Sequence, residues 1–192
     1  MPRHGLRMRN NRGVKTANRA IGPADALADD RWLVFVSSAM PRKRDPRIGR
    51  DRRVAVRAVS SMADLFRVWT WEDCAFPGRF SPDALYIEKA KNAHVLILII
   101  HDRLTPNTKR EYDISVKKRR GQMIFFRDGF RLQPPARDFQ RKLRDATYWR
   151  YKNPSELKSF IIKGLLGNLL RYAEAGLRVS VGNTVNYGRL GV

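Results

Sequence analysis

Val95-Leu-Ile-Leu-Ile-Ile100 sets the reading of this chain: six consecutive apolar residues with no polar alternation. A strand with one wet face alternates, so an unbroken run of this length describes a strand covered on both faces, as in a parallel sheet. Trp32-Leu-Val-Phe-Val-Ser37 repeats the pattern upstream and Gln122-Met-Ile-Phe-Phe126 downstream. Leu65-Phe-Arg-Val-Trp-Thr-Trp71 reads as a further strand, and Thr147-Tyr-Trp-Arg-Tyr151 as a fifth at an edge.

Helical signals fill the gaps between these runs. Val54, Ala58, Val59 and Met62 repeat at helical spacing, with Asp51 placed to cap that helix. Ser81-Pro82-Asp83 combines a capping hydroxyl, a first-position proline and a first-turn acid, opening a helix to about Asn92. Thr105-Pro106 opens a third helix, which runs into the cations Lys117–Arg120 and stops at Gly121. A short helix follows Pro134-Pro135. Asn153-Pro154-Ser-Glu156 opens the longest, with Leu157, Phe160, Ile161, Leu165, Leu169 and Tyr172 as its apolar stripe and Gly176 as its end. This alternation predicts an α/β domain over residues 31–175, a parallel sheet of about five strands with helices on both faces. Residues 1–30 read as a flexible basic arm and 176–192 as a glycine-rich tail.

The 192 residues make one domain's worth of chain, and 39 Lys+Arg against 18 Asp+Glu leave a formal charge of +21. With 43% hydrophobic residues, that charge sits on a protein able to build a core. Cys74 stands alone, which excludes an intramolecular disulfide and a multi-cysteine zinc site. His4, His94 and His101 lack the i,i+3 or i,i+4 pairing of a helical metal site, so no metal is expected. No apolar stretch reaches membrane-spanning length, and the basic N-terminus lacks the apolar centre of a secretory signal. No membrane association and a reducing, cytoplasmic setting are the expectations.

In doubly wound parallel sheets ligands bind beyond the carboxyl ends of the strands, where strand order reverses. The chain has neither a Gly-x-Gly-x-x-Gly turn after its first strand nor a P-loop, so those phosphate-binding elements are excluded. The carboxyl-end loops instead offer Ser37 and Ser38, then Trp71-Glu72-Asp73, then Asp102-Arg103 and Arg127-Asp128, with Glu111 and Tyr112 from the helix after the third strand. Carboxylates, hydroxyls, aromatics and arginines without a His–Cys pair suit a sugar- or nucleotide-type ligand.

Val34-Phe-Val-Ser-Ser38, Trp71-Glu72-Asp73, Ser81-Pro82, Val95–Ile100, Leu104-Thr105-Pro106 and Glu111-Tyr112 occur in an order that resembles a TIR-like domain found N-terminal to NACHT-type NTPases. That domain is similar in fold to TIR domains and to nucleoside deoxyribosyltransferases, and the resemblance covers roughly residues 32–165. It implies a flavodoxin-like sheet. It also implies that Glu111 corresponds to the glutamate that stabilises the ribosyl transition state in NAD-cleaving TIR domains and acts as nucleophile in the transferases. NAD or a related nucleotide would enter as substrate, with no bound cofactor, and self-association is implied in the same way. The Trp-Cys pair usual before that glutamate in TIR enzymes is replaced here by Asn107–Arg110, and Asp51-Arg52 stands where the family has Glu-Arg.

The residues themselves leave alternatives open. Thr108-Lys-Arg-Glu111 also fits a capping box, in which the glutamate folds back on the helix start. Trp69 and Trp71 face one side of their strand and fit core packing as well as ligand stacking. Ser37 and Ser38 fit a phosphate contact or a turn cap, and His94 fits a packed, hydrogen-bonded position. Three functions follow: hydrolysis of an N-glycosidic bond in signalling or defence, a non-catalytic nucleotide-sensing or protein-interaction module, and nucleic-acid binding through the basic surface. The last rests on charge, including seven Lys/Arg against two acids over Arg42–Arg53.

Overall fold

The computed structural model describes residues 31–43, 45–70, 82–143 and 148–174; the expected arm, the tail and the loop holding Trp71, Glu72, Asp73 and Cys74 lie outside them. Strands and helices alternate as β1(Trp32–Ser38), α1(Arg47–Ser60), β2(Phe66–Trp69), α2(Pro82–Asn92), β3(Val95–Ile100), α3(Pro106–Lys117), β4(Gly121–Arg127), α4(Pro134–Lys142), β5(Tyr148–Tyr151) and α5(Pro154–Glu174). The sheet runs in the order β2-β1-β3-β4-β5 and every pairing is parallel. This is the flavodoxin-like order, whose reversal falls between β1 and β3.

β3 sits in the middle, and all six of its residues are buried. The period-2 alternation of strands divides the core into two layers. Val34, Val36, Val95, Ile97, Ile99, Met123 and Phe125 meet α1 and α5 on one face. Leu33, Phe35, Leu96, Leu98, Ile100, Ile124 and Phe126 meet α2, α3 and α4 on the other. Each fully buried Leu, Ile, Val or Phe contributes about 1.5–3 kcal/mol, so these two layers dominate the driving force for folding. Trp69 belongs to the second layer, its ring centroid 5.0 Å from that of Phe35, which settles its role as core packing.

Three local expectations are corrected. Asp51 does not cap α1: the helix begins at Arg47 after Pro46, and Asp51 lies inside it, fully buried. Gly121 does not stop α3 but opens β4; the left-handed residue after the helix is Arg119 (φ 52°). Thr108 does not cap α3: Thr105 does, its hydroxyl accepting from the Thr108 N–H at 3.2 Å. His94 lies just before β3; its Nδ1 accepts from the Leu33 N–H at 2.9 Å, and its ring stacks on Trp32. Burial, with Arg120 and Arg67 nearby, lowers the His94 pKa and favours the neutral ring. Among the described residues no helix is long and apolar enough to cross a membrane.

α5 crosses the sheet closely at Gly164, where an added Cβ would lie 2.3 Å from the Met123 methyl, whereas a Cβ at Gly167 would meet nothing within 4 Å. Gly164→Val should therefore lower unfolding free energy by about 1–3 kcal/mol through overpacking. Gly167→Ala should raise it by up to about 1 kcal/mol through helix propensity. Urea denaturation of the two variants checks both signs.

Candidate functional site

Strand alternation sends the residues at the carboxyl edge to opposite faces. Ser37 follows Leu33 and Phe35 towards α3, while His101 and Arg127 follow β3 and β4 towards α1 and α5. Two distinct polar clusters result.

On the α3 side stands Glu111. It is 7% exposed, six residues beyond the Thr105 cap, and its Oε2 accepts a hydrogen bond from the Ser37 hydroxyl. The capping-box reading is thereby overturned, because the side chain points across to β1. Burial pushes the Glu111 carboxyl up to about 7, against the opposing pull of the Ser37 hydrogen bond and the Arg52 charge. A hollow of about 220 Å³ opens beside it, lined by Ser37, Ser38, Arg52, Tyr86, Arg103 and Thr108 among others. It adjoins the carboxyl ends of β1 and β3, at the reversal of strand order.

A second hollow of about 270 Å³ shares Met40 and Arg103 with the first. Arg103 is fixed there by a 2.7 Å hydrogen bond to the Met40 carbonyl. Asp102 lines this second hollow; its carboxylate accepts from the Gln133 side chain at 2.8 Å and its carbonyl from the Gln133 N–H at 2.6 Å. The His101 ring forms part of the wall, with its centroid 4.6 Å from that of Phe130.

The α1 side of the edge carries the second cluster. Asp51 Oδ2 accepts from the Tyr151 hydroxyl at 2.8 Å and from Arg127 Nη1, and it lies 3.0 Å from His101 Nε2. His101 Nδ1 lies 2.8 Å from Asp45 Oδ2, so the imidazole bridges two carboxylates. Burial alone would raise the Asp51 pKa; the hydrogen bonds from His101, Arg127 and Tyr151 and the Arg127 charge outweigh it and hold the carboxyl below its ordinary range. Burial and the Asp51 charge together raise the Tyr151 pKa, keeping the phenol protonated.

Of the residues proposed from the sequence, Glu111, Ser37, Ser38 and Arg103 therefore share one hollow, and Asp102 borders its neighbour. The Ser38 hydroxyl donates to the Ala39 carbonyl at 3.2 Å. Tyr112 is a correction: it packs edge-on against Phe139 of α4, 4.8 Å between centroids, and does not line either hollow. Trp71, Glu72 and Asp73 fall outside the described residues. Sequence reasoning missed Arg52 and Tyr86 as lining residues and the Asp51–His101–Arg127–Tyr151 cluster. Asp51 and Arg52 share the helical spacing of Ile48, Ala55 and Ala58, the signal that would have placed Asp51 inside.

No family model and no curated protein matches this sequence. Solved structures with a similar chain path include an apo NADH:FMN oxidoreductase (12% identity, TM-score 0.48, 71% of this chain and 89% of that one). A flavodoxin-like domain from Synechococcus is also similar (11% identity, TM-score 0.44, 72% and 98%). A flavodiiron core from Synechocystis shows 10% identity and a TM-score of 0.47 over 79% of this chain and 38% of that one. Likenesses this weak decide nothing about this chain. The all-parallel strand order β2-β1-β3-β4-β5 by itself makes this a flavodoxin-like α/β protein.

Two stability measurements separate the clusters. Asp51→Ala leaves Arg127 buried without its counter-charge and should destabilise the fold by about 3–5 kcal/mol. Because the folded Asp51 pKa is depressed, its contribution is present above the ordinary carboxylate range and is lost as pH falls through the folded value; the variant should lack that acid dependence. Glu111 has the opposite sign. Its raised pKa makes the folded state bind the extra proton, so stability falls as pH rises from the ordinary value through about 7 and then levels off. Glu111→Gln should melt above wild type at alkaline pH and converge with it below pH 4.5, as calorimetry across that range would read.

Proposed function

We propose that this domain hydrolyses the N-glycosidic bond of NAD or a related nucleotide, with Glu111 as the catalytic carboxylate. The observation that carries the reading is a buried carboxyl on the wall of a hollow at the strand-order reversal, held by Ser37 and facing a positive Arg52. A carboxyl so placed has two properties the reaction uses. It is desolvated, so once ionised its field on a developing charge is little screened. It is also anchored, so it need not reorganise as charge appears.

In this mechanism the C1′–N bond breaks with its electron pair leaving on the base. From NAD the pyridinium departs as neutral nicotinamide. Positive charge develops on the ribose C1′ and ring oxygen, and the ionised Glu111 stabilises it. Water then forms the C1′–O bond, and its proton passes to Glu111 and on to solvent. Atoms and charge balance with water as the only co-reactant. Arg103, at the junction of the two hollows, is placed to hold an anionic phosphate of the same substrate. The resemblance to TIR-like domains supports this reading and also its setting in signalling or defence; self-association would follow from the same source.

Purified protein incubated with NAD should release nicotinamide, and Glu111→Gln should lose at least about a hundredfold of the rate, the order expected when a charge-stabilising group is removed. The wild-type rate should climb as pH rises through about 7, since the ionised carboxylate is the active form. Equal rates for the two proteins would remove the catalytic assignment. Thermal stabilisation by NAD with no product would favour the non-catalytic sensing module instead.

A further inference from the structure

We propose that the outer face of α1 docks nucleic acid through its phosphate backbone, with Arg47, Arg50, Arg53 and Arg57 as the contacts. The exposed residues of α1 are these four arginines and Ser60, and nothing else. They lie three, three and four positions apart, which places them on one side of the helix. From first to last they span about 15 Å of axis, or about four phosphate steps of one strand.

The stripe is unfavourable for the isolated helix. Like charges three and four residues apart repel, and the first turn carries no acid, so Arg47 and Arg50 stand at the positive end of the helix dipole. The nearby carboxylates are shared with other partners. Asp45 approaches Arg47 at 3.4 Å but shares its charge with His101, and Asp51 lies 4.0 Å from Arg50 while serving Arg127, His101 and Tyr151. A chain of formal charge +21 has no surplus of acid to compensate. An external polyanion would supply the missing counter-charge.

Two features favour nucleic acid over a lipid surface. The apolar side of α1, with Ile48, Ala55, Ala58 and Val59, is consumed by the core, so no exposed side chain of this helix could enter a bilayer. All four cations are arginine, whose planar fork matches phosphate oxygens in pairs. Contact of this kind carries no base reading, so sequence-independent affinity is expected. The proposal is independent of the reading of Glu111.

Fluorescence anisotropy of labelled DNA duplexes of two unrelated sequences, titrated with the full chain at several salt concentrations, tests it. Wild type should bind both duplexes alike. Changing all four arginines to Gln should weaken binding at moderate salt by at least about tenfold, and should lower the slope of log affinity against log salt by about three to four, near one per lost phosphate contact. A control that removes four cations elsewhere (Lys117, Lys118, Arg137 and Arg141 to Gln) should stay within about threefold of wild type if local contacts dominate over net charge. Glu111→Gln should bind as wild type.

Should the fourfold variant melt early, Arg50→Gln and Arg53→Gln singly carry the test, each lowering the slope by about one. Equal losses in the stripe variant and the control would overturn the proposal, leaving net charge as the cause. So would absence of duplex binding by wild type. Markedly tighter binding by Glu111→Gln would overturn it by moving the polyanion into the hollow, where loss of the acid relieves repulsion. Tighter, stripe-dependent binding to phosphatidylserine vesicles than to duplex would assign the face to a lipid surface.

Discussion

A single carboxylate inside a helix organises the carboxyl edge of the sheet. Asp51 binds Arg127 from the end of β4 and Tyr151 from β5, and it meets His101 just past β3. Three strand ends are thus tied to α1 through one oxygen. The three donors offset part of a desolvation penalty of several kcal/mol per ion, and with Asp51 Oδ1 left without a hydrogen bond the cluster repays little beyond that. Its consequence is geometric. Arg52 is the next residue, so anchoring Asp51 also fixes the register in which Arg52 lines the Glu111 hollow. Ionic order on one face of the sheet thereby positions a charge beside the acid that belongs to the other.

The two buried carboxyls show burial and neighbours settling protonation in opposite directions. Asp51 and Glu111 are both taken out of water, and burial is the largest influence on each. Asp51 has three donors, one of them the Arg127 guanidinium, and they outweigh its burial. For Glu111 the Ser37 hydrogen bond and the Arg52 charge oppose burial without outweighing it, and it rises to about 7. The first arrangement stabilises the fold at neutral pH; the second opposes it. A destabilising acid on the wall of a hollow accords with the chemistry proposed for Glu111.

Periodicity carried most of the fold. The unbroken Val95–Ile100 run announced a central parallel strand, and the structure buries all of it. Proline and hydroxyl signals placed the starts of α3 and α5 to within a residue. What escaped were features that depend on which competing local partner wins. Thr105-Pro106 marks the start of α3, yet Thr108 with Glu111 also matches a capping box; what the Glu111 side chain does instead is set by its tertiary contact with Ser37. Asp51 next to a proline- and arginine-rich loop looks like a cap because acids at helix starts usually are. Its burial depends on Arg127 and Tyr151, 76 and 100 residues away, and no local pattern encodes that. Tyr112 follows a site residue in sequence yet points elsewhere, since adjacent positions on a helix diverge by about 100°.

A carboxyl poised near neutrality makes the hollow sensitive to the charge of what enters it. Filling it with a neutral base would expel water and strengthen the desolvation that already raises Glu111, so the acid would stay protonated and offer no field to a developing cation. A ligand bearing a fixed positive ring does the reverse. Its charge favours the ionised carboxyl, and the proton leaves as the ligand binds. For an N-glycoside the ring loses that charge when the bond breaks, while the ribose gains it. In the proposed reaction the carboxylate would then stabilise the positive charge on base and sugar in turn without leaving its hydrogen bond to Ser37. The same geometry would therefore discriminate between cationic and neutral bases through protonation, before any contact with the base itself is considered.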